Sequence, residues 1–377
     1  MAKQSWWRRL VDGKELVYPE DEPAPAPERE PLLEAAIAAD LDAIDPYLIY
    51  SDWLCDHGDP RGELMALQAR CKAKPDDGRW NFAVRTLDPW TVLDGEHAPR
   101  ARALIERFPI RLGGELDPGD HVEWHCGYWK RLHVDYVPQS PFTLERRIGT
   151  ALRQESARFL RTLSIHAKAP IAERLPELPP SLRALHLGGS AMPTTALEWL
   201  GDLSALWARA RSLDTIVLQG SSMMFRQPFE APVLKSLEVV TDDLDKRAFH
   251  AIAHSELPAI ETLILWIGGR DNNASVRVDD LRGLAANPLP NLRDLGLVKC
   301  AFVNRALEVI ADAPWLPQLR VLDLSRGRLT ARGLDVLERA RARMPELRYL
   351  DVSQNRLDDA GCKRARTLAP QVRTTGY

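Results

Sequence analysis

Apolar positions in the second half of the chain fall into one recurring line: an apolar residue, two variable ones, an apolar residue, one variable, an apolar residue. LRVLDL at Leu319–Leu324 is the clearest copy. LRYLDV at Leu347, LRDLGL at Leu292, IETLIL at Ile260, LKSLEV at Leu234, LDTIVL at Leu213, LRALHL at Leu182 and LRTLSI at Leu160 repeat it, with starts 22, 31, 21, 26, 32, 27 and 28 residues apart. WKRLHV at Trp129 fits loosely, as a capping copy. Repeats of this length predict a solenoid. Alternate side chains of a short strand face opposite ways, so Leu322 and Leu324 point inward while Val321, Asp323 and Ser325 face out. One repeat cannot bury its own apolar edge, and stacked neighbours supply the missing wall. LDVLERARARM, Leu334 to Met344, has helical spacing and predicts an outer layer. Strands about 4.8 Å apart would spread eight or nine rungs over roughly 40 Å, a surface suited to contact more than to chemistry.

These lines resemble leucine-rich repeats. That family places Asn or Cys three residues after the last apolar position, where Asn355 and Cys300 stand; Gly327, Asp242, Ser190, Ser221, Gly268 and Lys168 occupy the other copies. Leu329, Gly333, Leu334 and Leu337 in one unit, with Leu357, Gly361 and Leu368 in the next, resemble the ribonuclease-inhibitor-like subtype. The resemblance implies an α/β fold: a horseshoe solenoid with a parallel concave sheet and a helical convex side, here preceded by a small α-helical module.

Four segments are expected. Residues 1–30 hold an aromatic-basic start, with Trp6, Trp7, Arg8 and Arg9, and a Pro/Glu/Ala tract that reads as an extended linker. The tryptophans and arginines suit a docking peptide for a partner or a membrane surface, or fold back onto the next domain. Residues 31–75 read as a helical module. Pro31 opens a first helix carrying Leu32, Leu33, Ala36 and Ile37; Asp45 caps a second, apolar around much of its girth, with Tyr47, Leu48, Ile49, Tyr50, Trp53 and Leu54; Gly58 ends it, and Asp59 and Pro60 start a third. LIYSDWLCDHGDPRGELMALQ, Leu48 to Gln68, resembles the bacterial repeat-companion domain, most specifically at Asp52–Leu54 and Gly58–Glu63. That resemblance implies pairing with repeats and no biochemical activity. Residues 76–150 are irregular and read as a cap leading into the solenoid of residues 151–377.

A formal net charge of −3, from 50 basic and 53 acidic residues, gives no general attraction for nucleic acid. No apolar run approaches the ~20 residues that cross a bilayer, and no apolar stretch follows Lys3, Arg8 and Arg9, so neither a transmembrane segment nor a secretory signal is expected. An odd set of 5 cysteines without a CxxC pair suits reduced thiols in a cytoplasmic protein.

Two clusters invite chemistry. Asp52, His57, Asp59, Arg61 and Glu63 lie within twelve residues, and a histidine flanked by carboxylates suits acid–base work; a helix cap at Asp59 and a tie from Arg61 to Asp52 or Glu63 account for the same residues. HVEWHC, His121 to Cys126, offers His121, His125 and Cys126 as zinc ligands with Glu123 as base. It reads better as a strand and a glycine turn, in which adjacent His125 and Cys126 face opposite ways. No metal, cofactor or catalytic residue is therefore assigned, and no GxGxxG, Walker-type loop, HExxH or GxSxG is present.

The period-two register puts Arg131, His133, His166 and His186 at the N-terminal end of the concave face. Val217, Val240, Ile264, Trp266 and Val298 follow in the middle, and Asp294, Asp323, Tyr349 and Asp351 in the late rungs with Glu238 a little earlier, so the face is expected to run from basic and histidine through an apolar centre to acidic. Exposed tryptophan and isoleucine on a sheet call for a cover, either a partner or the loop Gly268–Asp280. The expected function is non-enzymatic recognition of another protein on this face. The alternatives are an enzyme acting through Asp52, His57 and Glu63, and an adaptor recruited through its N-terminal segment.

Overall fold

The computed structural model describes residues 29–73, 93–94, 97–114, 116, 119–136, 143–166, 170–188, 199–220, 222–268 and 275–374. Trp6, Trp7, Arg8 and Arg9 lie outside these. The chain forms two compact units: one up to Ser164 together with Pro179–Leu182, the other of Ile165–Leu178 with Arg183 onward.

The first unit opens with three helices, Pro31–Ala39 (α1), Ile44–Asp56 (α2) and Pro60–Gln68 (α3). Asp59 caps α3 as expected, its carboxylate accepting from the Arg61 amide. The start of α2 differs from expectation. Its N-cap is Ala43 without a side-chain bond, and Asp45 falls inside the first turn, where a negative charge still favours the helix dipole. Nor is α2 buried all round: Tyr47, Tyr50 and Leu54 enter a core with Ile37, Met65, Cys126, Tyr128 and Phe159, while Ile49 is 57% exposed. Trp53 is only partly buried, stacked between Tyr50 and His57 at centroid distances of 5.9 and 3.9 Å. Trp53→Ala is therefore expected to cost about 1–3 kcal/mol in denaturant unfolding, less than the ~3–5 of an enclosed aromatic.

Short strands Lys72–Ala73 (β1) and Leu93–Asp94 (β2) pair antiparallel, and Ala98–Arg107 forms α4. The strands His121–His125 (β3) and Tyr128–Val134 (β4) make an antiparallel hairpin. Its two loop residues, Cys126 and Gly127, both have positive φ, 44° and 80°, the turn whose twist matches paired strands. WKRLHV, expected as a capping copy, is the second strand of this hairpin and also pairs with Thr162–Ile165. Leu144–Leu152 (α5), capped by the Thr143 hydroxyl, and Thr162–Ile165 (β5) follow.

In the second unit a parallel ladder runs through Ala184–Gly188 (β6), Thr215–Gln219 (β8), Ser236–Val240 (β10), Thr262–Trp266 (β11), Asp294–Val298 (β12), Val321–Asp323 (β13), Tyr349–Asp351 (β14) and Gln371–Arg373 (β15). Trp199–Asp202 (β7) and Ser222–Met224 (β9) form a separate parallel pair, and Leu206–Arg209 (α6) lies between β7 and β8. Each LxxLxL line yields a strand starting two residues in. β15 was not expected, since it lacks the line. Connecting helices Lys246–Ala253 (α7), Leu281–Ala286 (α8), Val303–Ile310 (α9), Ala331–Ala340 (α10) and Asp359–Ala365 (α11) pack side by side in chain order. Their apolar stripes, such as Val303, Ala306, Leu307 and Ile310, are buried. So are the inward strand positions Leu295, Leu297, Leu322 and Leu324, each at 0% exposure.

Asn355 locks two repeats together: its amide donates to the carbonyls of Leu324 at 2.8 Å and Val352 at 3.0 Å, while its oxygen accepts from the Leu329 amide at 2.8 Å. Cys300, at the equivalent place, is fully enclosed, and burial pushes its thiol up to about 12.

Candidate functional site

Strand register places the outward side chains of the second unit in rows. One row runs His186, Val217, Glu238, Ile264, Gly296, Asp323, Asp351, Arg373. A flanking row holds Thr215, Ser236, Thr262, Asp294, Val321 and Tyr349, and on the other side Trp266 is in register with Val298. The rows are unequal in access. His186 and Asp351 are 5% and 6% exposed and Val217 9%, whereas Glu238, Ile264, Trp266, Asp294, Asp323 and Tyr349 are half-buried. Glu238 interrupts the apolar centre, and Arg373 ends the acidic side with a positive charge.

Arg131 and His133 belong to the first unit. Arg131 and Lys130 pair with Glu123 across the hairpin at 3.1 and 3.5 Å, and His133 stacks on His121 with ring centroids 6.1 Å apart. His166, just after β5, is half-buried. Thus Glu238, Ile264, Trp266, Asp323 and Asp351 meet around one cavity, and Arg131, His133, His166, His186, Val217, Asp294 and Tyr349 do not line it.

That cavity, of about 220 Å³, opens on the middle and late rungs. Val298, Ser325, Arg326, Ser353, Gln354 and Arg373 complete its lining. Lys299, Arg326 and Gln354 occupy the turns that follow successive strands, all with left-handed backbones, φ 55°, 59° and 55°. The Lys299 and Arg326 amides donate to Ser325 and Ser353 carbonyls one rung on. Such a backbone is uncommon for side chains other than glycine. The turn carries the Arg326 guanidinium over the Trp266 ring, 5.4 Å from its centroid, a cation–π contact. Arg326, Arg373, Ser353 and Gln354 were not expected. They follow the template line or, for Arg373, lie on a strand without one, so the repeat pattern carried no signal for them.

The cavity is acidic in character. Burial raises the Glu238 carboxyl above its ordinary range, and Asp323 adds to the rise. Burial likewise raises Asp323, against hydrogen bonds from Ser325. Asp351 accepts from the Ser353 amide at 2.8 Å and faces the Arg373 guanidinium at 3.8 Å. Asp294, to one side, is raised by burial and held by the Thr262 hydroxyl at 3.1 Å. Burial also raises Tyr349, whose hydroxyl points at Asp351 from 3.4 Å.

The two clusters with chemical promise are taken up structurally in the first unit. His57 is exposed and bonds the Trp53 carbonyl through Nδ1 at 2.7 Å. Glu63, nearly enclosed, pairs with Arg100 at 2.8 Å, and Asp59 with Arg111 at 3.3 Å. Arg61 ties helix to hairpin rather than reaching Asp52 or Glu63: it donates to the carbonyls of Gly127 and Arg111 and to Ser156. In the HVEWHC stretch, burial drives His125 down to about 4 and its ring meets the edge of Tyr47. Cys126 lies buried in the turn. Among the described residues no group of three or more His, Cys, Asp or Glu converges as metal ligands. Nor is any helix among them long and apolar enough to cross a membrane.

Among solved structures the chain is similar to a Bacteroides fragilis protein from a structural genomics programme, at 19% identity over 76% of this chain and 87% of that one, TM-score 0.54. Lower likenesses are to the Drosophila Toll–Spätzle complex, at 12% identity over 65% and 30%, TM-score 0.36, and to an internalin of Listeria monocytogenes, at 12% identity over 66% and 82%, TM-score 0.30. No protein-family model matches the chain, and no curated sequence does. The first likeness is one of fold, a long parallel sheet with helical connections consistent with a repeat solenoid.

Proposed function

We propose that this is a non-enzymatic recognition protein of the leucine-rich-repeat type, binding another protein on the outward rows of its ladder, with residues 31–75 as a repeat-companion module. The observation that carries this reading is Trp266. It is a half-buried indole in the middle of a regular ladder, held beneath a guanidinium and flanked by Ile264 and Val298. Interface energy concentrates in central aromatic and arginine anchors ringed by weaker contacts, and a pre-held ring loses little rotamer freedom on binding. The acidic residues Asp294, Asp323 and Asp351 beside it would set orientation and association rate more than affinity. The reactive groups of the enzyme alternative, His57 and Glu63, already have structural partners, which supports recognition over catalysis.

The partner is identified by cross-linking from a photoreactive residue placed at Val321, then titrated. Trp266→Ala is expected to weaken it by about 2–4 kcal/mol with the fold retained. Unchanged affinity in a folded variant would remove the ladder face from the reading.

A further inference from the structure

We infer that the cavity at Glu238 receives one basic side chain, lysine or arginine, of the protein partner; the inference rests on the recognition reading above. Five charged side chains line it, and four have work within the molecule. Asp323 caps the turn at the Ser325 amide, 2.8 Å away. Asp351 caps the equivalent turn and faces Arg373. Arg326 lies on the Trp266 ring. Glu238 is different: among the described residues it has neither a hydrogen bond nor an ion pair, and the one charge that bears on it, Asp323, repels it. A half-buried carboxylate left in this state costs stability, yet the residue lines the cavity. A group that weakens the free protein at a solvent-reachable point is the mark of a binding site traded against stability.

The chemistry of the walls selects the occupant. Three carboxylates against two guanidiniums leave the lining one negative charge, so a single positive charge completes it and an anion is excluded. Trp266, Ile264 and Val298 form an apolar flank that suits the methylene stem of a long cationic side chain. A hard metal ion wants several converging oxygens, which Glu238 alone does not supply, Asp323 and Asp351 being committed to turns and Arg373. Gly296 lets the Ile264 side chain of that flank lie across it. It stands between Ile264 and Asp323 in the row, and a Cβ there would meet Ile264 Cδ1 at 2.8 Å.

The test uses the full chain labelled with 15N-tryptophan, the Trp266 indole signal being assigned with Trp266→Phe. Blocked pentapeptides of glycine with one central Arg, Lys or Glu are titrated, with spermidine and calcium as further probes. The Trp266 signal is expected to move with the Arg or Lys peptide and not with the Glu peptide. Glu238→Gln should weaken that response at least about tenfold, the loss of one charge-assisted hydrogen bond, while raising Tm. Glu308→Gln, on α9 and paired with Arg332 at the surface, should change neither. Equal responses to the Glu peptide, to spermidine or to calcium, an undiminished response in Glu238→Gln, or a lowered Tm in that variant would each overturn the assignment. If these peptides fail while Trp266→Ala still weakens the cross-linked partner, the cavity loses its occupant and the recognition face stands.

Discussion

Arg61→Ala is expected to destabilise the first unit by about 3–5 kcal/mol, because it leaves several buried acceptors without their donor. The side chain is 2% exposed. Its guanidinium donates to the Gly127 carbonyl at the hairpin turn, to the Arg111 carbonyl at 2.7 Å and, from both terminal nitrogens, to the Ser156 hydroxyl at 3.3 Å. It also lies 5.0 Å from the centroid of the Tyr128 ring. Ser156 in turn donates to Leu112, and Gln68 accepts the Gly127 amide at 2.7 Å. Truncation would strand several buried acceptors at once, each at about 1–3 kcal/mol. Arg61→Lys keeps the charge but loses the planar fork that reaches separate carbonyls, so it should fall between wild type and alanine. Urea unfolding of the three proteins measures this, and an alanine variant within about 0.5 kcal/mol of wild type, the scatter of an ordinary surface change, would show that the network is dispensable.

Gly188→Ala should disrupt the second unit by more than about 3 kcal/mol, because two penalties coincide. Gly188 has φ +107°, a conformation L side chains rarely adopt, and a Cβ there would lie 1.7 Å from the backbone oxygen of Gln219 on the next rung. Backbone in a paired strand cannot move aside without breaking the ladder. Gly149→Ala is the contrast. That glycine is inside α5, and the nearest atom to its added Cβ is the far end of Arg153 at 3.3 Å, so helix propensity should leave the variant as stable as wild type or more so, by up to about 1 kcal/mol. Thermal unfolding of both variants separates the cases.

The ladder was legible because each LxxLxL line combines strand periodicity with a repeat length, two signals that reinforce one another. Gln371–Arg373 escaped because APQVRT offers a single inward apolar residue, Val372; the rung forms there because β14 presents it with an edge to pair. Asp59 was readable as a cap, since the residue types around it, Gly58 before and Pro60 after, all favour a helix start. Periodicity alone could not divide Tyr50 from Trp53 on α2, because which aromatic enters the core depends on the hairpin residue Tyr128, far along the chain. The same limit governs the site. That Glu238 faces outward follows from counting residues. That it lacks a partner depends on the two arginines of the cavity, of which Arg326 is already taken by Trp266 and Arg373 faces Asp351.

From β10 onward, every strand of the ladder pairs with the next one in the chain, while β7 and β9 pair with each other and not with the ladder. The entropy of closing each new rung is therefore that of one connecting segment, however many rungs precede it. A parallel sheet assembled from distant segments folds slowly for want of this locality. Here any two or three adjacent rungs can serve as a nucleus, with growth proceeding outward in either direction by steps of similar cost.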